Sequence, residues 1–112
     1  MGYDLKLDQH QYVLTHARAF QQHPAFWLVG AVDVDPNKRE VFEAHYGAPA
    51  FDEISNAAAA LQPDVVVVAT PTLVHATTMR AVLRSFQPTT LLCEKPLAFE
   101  LTDAGEMLQG AL

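Results

Sequence analysis

The sequence predicts an α/β domain built on a parallel sheet with helices on both faces, and three observations carry that prediction. Short apolar runs alternate with stretches of helical periodicity, which is the pattern of βαβ units. Two of the runs, Val65-Val66-Val67-Val68-Ala69 and Leu91-Leu92-Cys93, are continuously apolar, as strands covered on both faces are. Each run empties into a polar loop that contains a proline: Thr70-Pro71 with His75 behind it, and Glu94-Lys95-Pro96. In an open parallel sheet, the loops that follow the strands are where ligands sit.

The elements follow in order. Residues 1–9 are polar and irregular. Gln11 to Gln22 supports a helix, with Tyr12, Val13, Ala17, Ala19 and Phe20 spaced for one apolar side and Pro24 just past its end. Phe26 to Val34 is continuously apolar, reads as a strand covered on both faces, and closes on Asp33 and Asp35. Pro36 suits a first helical turn, so Asn37 to Tyr46 is a helix with Val41, Phe42 and Tyr46 on one stripe and Gly47 as its stop. Residues 49–51 suit a short edge strand. Asp52 or Ser55 can cap the next helix, which runs through the alanine block 57–60 to Leu61. After the strand Val65 to Ala69, His75 to Phe86 is a helix that turns Met79, Val82, Leu83 and Phe86 inward, and Pro88 limits it. Leu91 to Cys93 is the next strand, and a last helix begins near Thr102.

Composition bounds the function. The chain has 112 residues, enough for one domain with a core and too few for two. Half of them are hydrophobic and 18% are charged, an ordinary soluble globular balance. A net charge of −6 with only seven scattered Lys and Arg leaves no basic surface for nucleic acid. The single cysteine, Cys93, cannot form an internal disulfide and lies within a strand, where a thiol behaves as a small hydrophobe. No apolar run approaches the ~18 residues of a membrane span, and Asp4, Lys6, Asp8 and His10 stand where a signal peptide would be apolar, so the cytoplasm is the expected compartment. His10, His16, His23 and His45 share no metal-ligand spacing, and no Ser-His-Asp arrangement is visible.

The residues that can carry chemistry lie at strand ends. Asp33 stands where a dinucleotide-binding fold puts the acid that accepts hydrogen bonds from the adenosine ribose, and a carboxylate there favours NAD over NADP. The alternative is that Asp33 or Asp35 simply caps the helix at Pro36. Thr70-Pro71 ends pairing and leaves the Thr70 carbonyl and hydroxyl for a ligand, or is an ordinary strand-ending turn. His75, near a helix start, offers a ring that can donate or accept a hydrogen bond, or is a surface or capping residue. Adjacent residues leaving a strand point to opposite sides, so one of Glu94 and Lys95 should enter a cleft while the other braces the loop. A cleft lysine can orient a hydroxyl or carbonyl, or transfer a proton as hydride moves.

Taken together, Asp33, Ala69-Thr70-Pro71 with His75, and Cys93-Glu94-Lys95-Pro96-Leu97 resemble the nucleotide-binding domain of the Gfo/Idh/MocA oxidoreductases, the glucose–fructose oxidoreductase and inositol dehydrogenase group. The resemblance runs from about His16 to Leu108 and includes His16-Ala17-Arg18-Ala19-Phe20, which is similar to the family's helix after its glycine turn. It implies a Rossmann domain and an NAD(P)-dependent oxidoreductase acting on a sugar, cyclitol or related polyol. It implies further that Asp33 contacts the ribose, that Thr70, Pro71 and His75 line the nicotinamide side, and that Glu94, Lys95 and Pro96 bind cofactor and substrate, with Lys95 catalytic.

Two departures shape the expectation. The family's first strand and Gly-x-Gly-x-x-Gly turn should precede His16, yet only Gly2 stands there. The separation of about thirty residues from Gly2 to Asp33 exceeds the usual ~20, which suggests an insertion from Tyr3 to Tyr12. The substrate domain should follow Leu112. The chain is therefore expected to be a partial Rossmann domain, a fragment or internally started reading frame, inactive alone and prone to self-association through an open sheet edge. The competing reading is a non-catalytic interaction or regulatory module that no longer binds dinucleotide. A receiver domain is excluded for want of an acidic cluster with a phospho-acceptor aspartate.

Overall fold

A computed structural model describes residues 5–8, 11 and 13–112. The chain forms two compact units, residues 1–61 and 62–112, each built round a two-stranded parallel sheet. Among the described residues no helix is long and apolar enough to cross a membrane.

In the first unit, helix α1 (His16–Gln22) begins later than its apolar spacing predicts. Thr15 takes the cap position, and its Oγ1 accepts from the Arg18 amide at 3.4 Å. Strand β1 (Ala31–Val32) is much shorter than the apolar run that contains it. Among the described residues it pairs only with β2 (Ala50–Phe51), in the register Ala31↔Ala50 and Val32↔Phe51, so two residues of ladder are all this partner supplies. The expectation that Phe26 to Val34 is covered on both faces fails for the same reason: Trp27 is 89% exposed and Val34 86%. Apolar composition reports the burial that a strand needs, and here one described partner provides only part of it.

Helix α2 (Pro36–Tyr46) forms as its punctuation predicts. Asp35 caps it, its Oδ1 accepting from the Asn37 amide at 2.9 Å, and Pro36 occupies the first turn. Gly47 closes it at φ 68°, a left-handed conformation that a side chain disfavours. The Glu43 carboxylate then reaches past the turn to accept from the Ala50 amide at 2.9 Å, tying α2 to β2. Helix α3 (Ile54–Ala60) uses neither expected cap. Glu53 holds the cap position without a side-chain bond to the helix backbone, while Asp52 is engaged by Asn56 Nδ2 at 2.7 Å and Ser55 Oγ donates to the Glu53 carboxylate. That Asn56 contact holds the Asp52 carboxyl below its ordinary range. Both α2 and α3 pack on the strand pair, with Phe42, Ala48 and Ala57 as the buried apolar core. Gly30 is the point of closest approach: a Cβ there would meet the Pro49 carbonyl at 2.9 Å and Leu61 Cδ1 at 2.7 Å.

The second unit follows its prediction more closely. Strand β3 (Val65–Val68) pairs in parallel with β4 (Thr90–Cys93), Val65↔Thr90 through Val68↔Cys93. The ladder continues one step past the strands, the Glu94 amide donating to the Val68 carbonyl at 2.9 Å. A 3-10 turn (Thr72–Val74) leads from β3 into helix α4 (His75–Ser85), which packs on β3. Helix α5 (Leu101–Ala111) packs on α4. Met79, Val82 and Met107 are buried with Val68, whereas Leu83 and Phe86 are only partly covered. An exposed Arg80–Glu106 ion pair at 2.9 Å links the two helices, and pairs of this kind contribute at most about 1 kcal/mol.

Candidate functional site

The loops leaving β3 and β4 are neighbours because their strands are paired in register and end level, at Val68 and Cys93. Thr70 and Pro71 leave one strand, and Glu94, Lys95 and Pro96 leave the other. The Lys95–Pro96 peptide bond is cis. One side chain joins the two loops. His75 is 1% exposed, and its Nε2 lies 2.7 Å from the Thr70 carbonyl oxygen while its Nδ1 lies 3.1 Å from each of the Pro96 and Leu97 carbonyl oxygens.

This arrangement changes what Thr70 offers. Its carbonyl, expected to face a ligand, already faces His75. Its hydroxyl is buried and has no hydrogen-bond partner among the described residues. A buried hydroxyl without a partner carries a desolvation cost of about 1–3 kcal/mol, which a ligand hydrogen bond would relieve. Glu94 is partly buried and accepts from the Lys95 amide at 3.3 Å, while Lys95 is exposed. Pro71 and Pro96 are exposed on the two loops.

Cys93, the last residue of β4, is partly buried, and that burial, helped by the neighbouring Glu94 carboxylate, pushes its thiol above the ordinary range. A raised value means less thiolate at neutral pH, so Cys93 should alkylate with iodoacetamide more slowly than glutathione does at pH 7.5. Equal or faster labelling would show that the thiol is not held in this way.

The first unit carries the other candidate. With Asp35 acting as the cap of α2, Asp33 is released from that alternative. Its Oδ1 accepts from the Asp35 amide at 2.9 Å, which orients the carboxylate at the carboxyl end of β1. Sequence reasoning missed Arg39, whose Nη1 donates to the Asp33 carbonyl at 2.7 Å. Its only signal was a position six residues on, one turn into the following helix. Gly2 and half of the segment Tyr3 to Tyr12 lie outside the described residues. Among the described residues no three His, Cys, Asp or Glu side chains gather as a metal site.

Parallel strands with proline-bearing loops at their carboxyl ends, and in the first unit an acid just past a parallel strand, are features of dinucleotide-binding α/β domains. Residues 12–111 match the family model described as "Oxidoreductase family, NAD-binding Rossmann fold", and the chain belongs to that family, Gfo/Idh/MocA. Among solved structures it is similar to the WlbA dehydrogenase of Bordetella pertussis, crystallised with NADH and UDP-GlcNAcA, at 29% identity and a TM-score of 0.77 over 86% of this chain and 28% of that one. The WlbA enzyme of Chromobacterium violaceum, also with NADH and UDP-GlcNAcA, matches at 26% identity and a TM-score of 0.76, over 86% of this chain and 28% of that one. The myo-inositol 2-dehydrogenase of Lactobacillus plantarum shares the fold, at 21% identity and a TM-score of 0.72, over 85% of this chain and 28% of that one. The chain thus spans just over a quarter of the length of these structures. A search of curated protein sequences returned no match.

Proposed function

We propose that this chain is the nucleotide-binding portion of an NAD(P)-dependent oxidoreductase acting on a sugar, cyclitol or related polyol, and that it is inactive without a substrate domain. The observation that carries the reading is the pairing of β3 and β4 in register, which sets Thr70-Pro71 beside Glu94-Lys95-Pro96 at the carboxyl ends of parallel strands. The unpartnered Thr70 hydroxyl, and the Asp33 carboxylate with one oxygen committed to its own loop, fit a ligand rich in hydroxyl and amide groups. The substrate class draws on the sugar nucleotide held by the WlbA relatives.

In this reading Asp33 accepts from the adenosine ribose and favours NAD over NADP, since a carboxylate repels a 2′-phosphate. Thr70, Pro71 and the Glu94-Lys95-Pro96 loop form the nicotinamide side. The cofactor supplies hydride chemistry when bound; the chain's own contribution is to place a cation beside it. Lys95 is the catalytic residue, its ammonium orienting a substrate hydroxyl or carbonyl and able to give or take the proton that accompanies hydride movement. A reducing cytoplasm suits the free Cys93 thiol. Self-association is proposed through β1, whose flanking Trp27 and Val34 stand exposed.

Calorimetric titration of the chain with NADH tests the reading. Binding stronger than about millimolar is expected, with Lys95→Ala leaving the fold intact. Absence of binding at that level would favour the module that has lost its dinucleotide. Sedimentation as a monomer would remove the self-association.

A further inference from the structure

We propose that His75 is a positioning residue whose buried ring, set between the Thr70 carbonyl and the Pro96 and Leu97 carbonyls, clamps the loop after β3 to the loop after β4 and so fixes where Lys95 stands relative to Thr70. The inference rests on the reading that these loops face a dinucleotide, although the clamp itself is testable without one. Its Nε2 lies 2.7 Å from the Thr70 carbonyl oxygen and its Nδ1 3.1 Å from those of Pro96 and Leu97, so whichever nitrogen carries the proton donates to loop backbone while the ring fills the space between the two loops.

The loops have few other ties. Pro71 and Pro96 lack an N–H. Beyond the Glu94 amide bond to Val68, no backbone hydrogen bond joins the two loops among the described residues. At 1% exposure the ring has no water to replace a lost partner, so the clamp either holds both loops or leaves a buried polar group unpaired. His75 therefore acts through Thr70 and the Lys95 loop and touches no ligand itself.

Hydrogen exchange followed by nuclear magnetic resonance on the full chain tests the clamp. His75→Leu should speed the amides of residues 72–74, 95, 97 and 98 at least tenfold, and His75→Gln, which keeps one donor group, should speed them less. The β3 and β4 amides should keep their protection in both variants. Met79→Ala, in the same helix, should instead lower protection throughout the unit. A His75→Leu pattern that matches Met79→Ala, or loops that exchange as in the wild type, would overturn the clamp. NADH affinity measured on the same variants separates the two claims: opened loops with unchanged affinity support the clamp and count against the dinucleotide reading.

Discussion

Phe42→Ala is expected to cost about 3–5 kcal/mol, the range for removing a buried aromatic side chain and leaving a cavity. Phe42 is 2% exposed, lies on the buried side of α2, and stacks against Tyr46 with ring centroids 4.9 Å apart. The unit it serves is small, and domains of about 60 residues bury a lower fraction of their surface than larger ones do. A loss of this size approaches the lower end of the 5–15 kcal/mol of a typical domain, so the first unit should be markedly destabilised. Urea titration read through amide protection in α2 and β2 checks it. A cost below about 1 kcal/mol would mean that Phe42 does not anchor α2. Because α2 carries Arg39, which holds the Asp33 carbonyl, the variant should also loosen Asp33.

Asp33→Ser should weaken NADH binding roughly tenfold to a hundredfold while narrowing the preference for NADH over NADPH. A hydrogen bond to a charged group contributes about 1.5–3 kcal/mol, and each 1.4 kcal/mol is a factor of ten. In the proposed role the wild-type carboxylate would gain that bond with a ribose hydroxyl and repel a 2′-phosphate, so removing it should change the two affinities in opposite senses. Fluorescence titration with both dinucleotides measures the effect. A wild-type chain that binds both equally, or a variant with an unchanged preference, would remove Asp33 from the ribose site.

How much was legible in the sequence differs between the two units. The helix Pro36–Tyr46 could be read from Asp35, Pro36 and Gly47 because caps and left-handed stops are local chemistry. Strands β3 and β4 could be read because each is a contiguous apolar run that finds its partner within the same unit. The run from Phe26 to Val34 misled, since its composition asks for two strand neighbours and the described residues give it one short one. The caps of α3 misled for a different reason: Asp52 and Ser55 are both competent, and only the folded loop decides that each bonds to another side chain.

The site divides along the same line. Sequence alone determined the family and the strand-end positions of Asp33, Thr70, Pro71, Glu94, Lys95 and Pro96, because strand ends, prolines and charged pairs are adjacent along the chain. It placed His75 near a helix start and could say little more. Only the tertiary structure decided that this ring is buried and bridges Thr70 to Pro96 and Leu97. The physical reason is separation: a hydrogen bond spanning 21 residues exists only after two strands have paired and brought their loops level, and no local pattern encodes it.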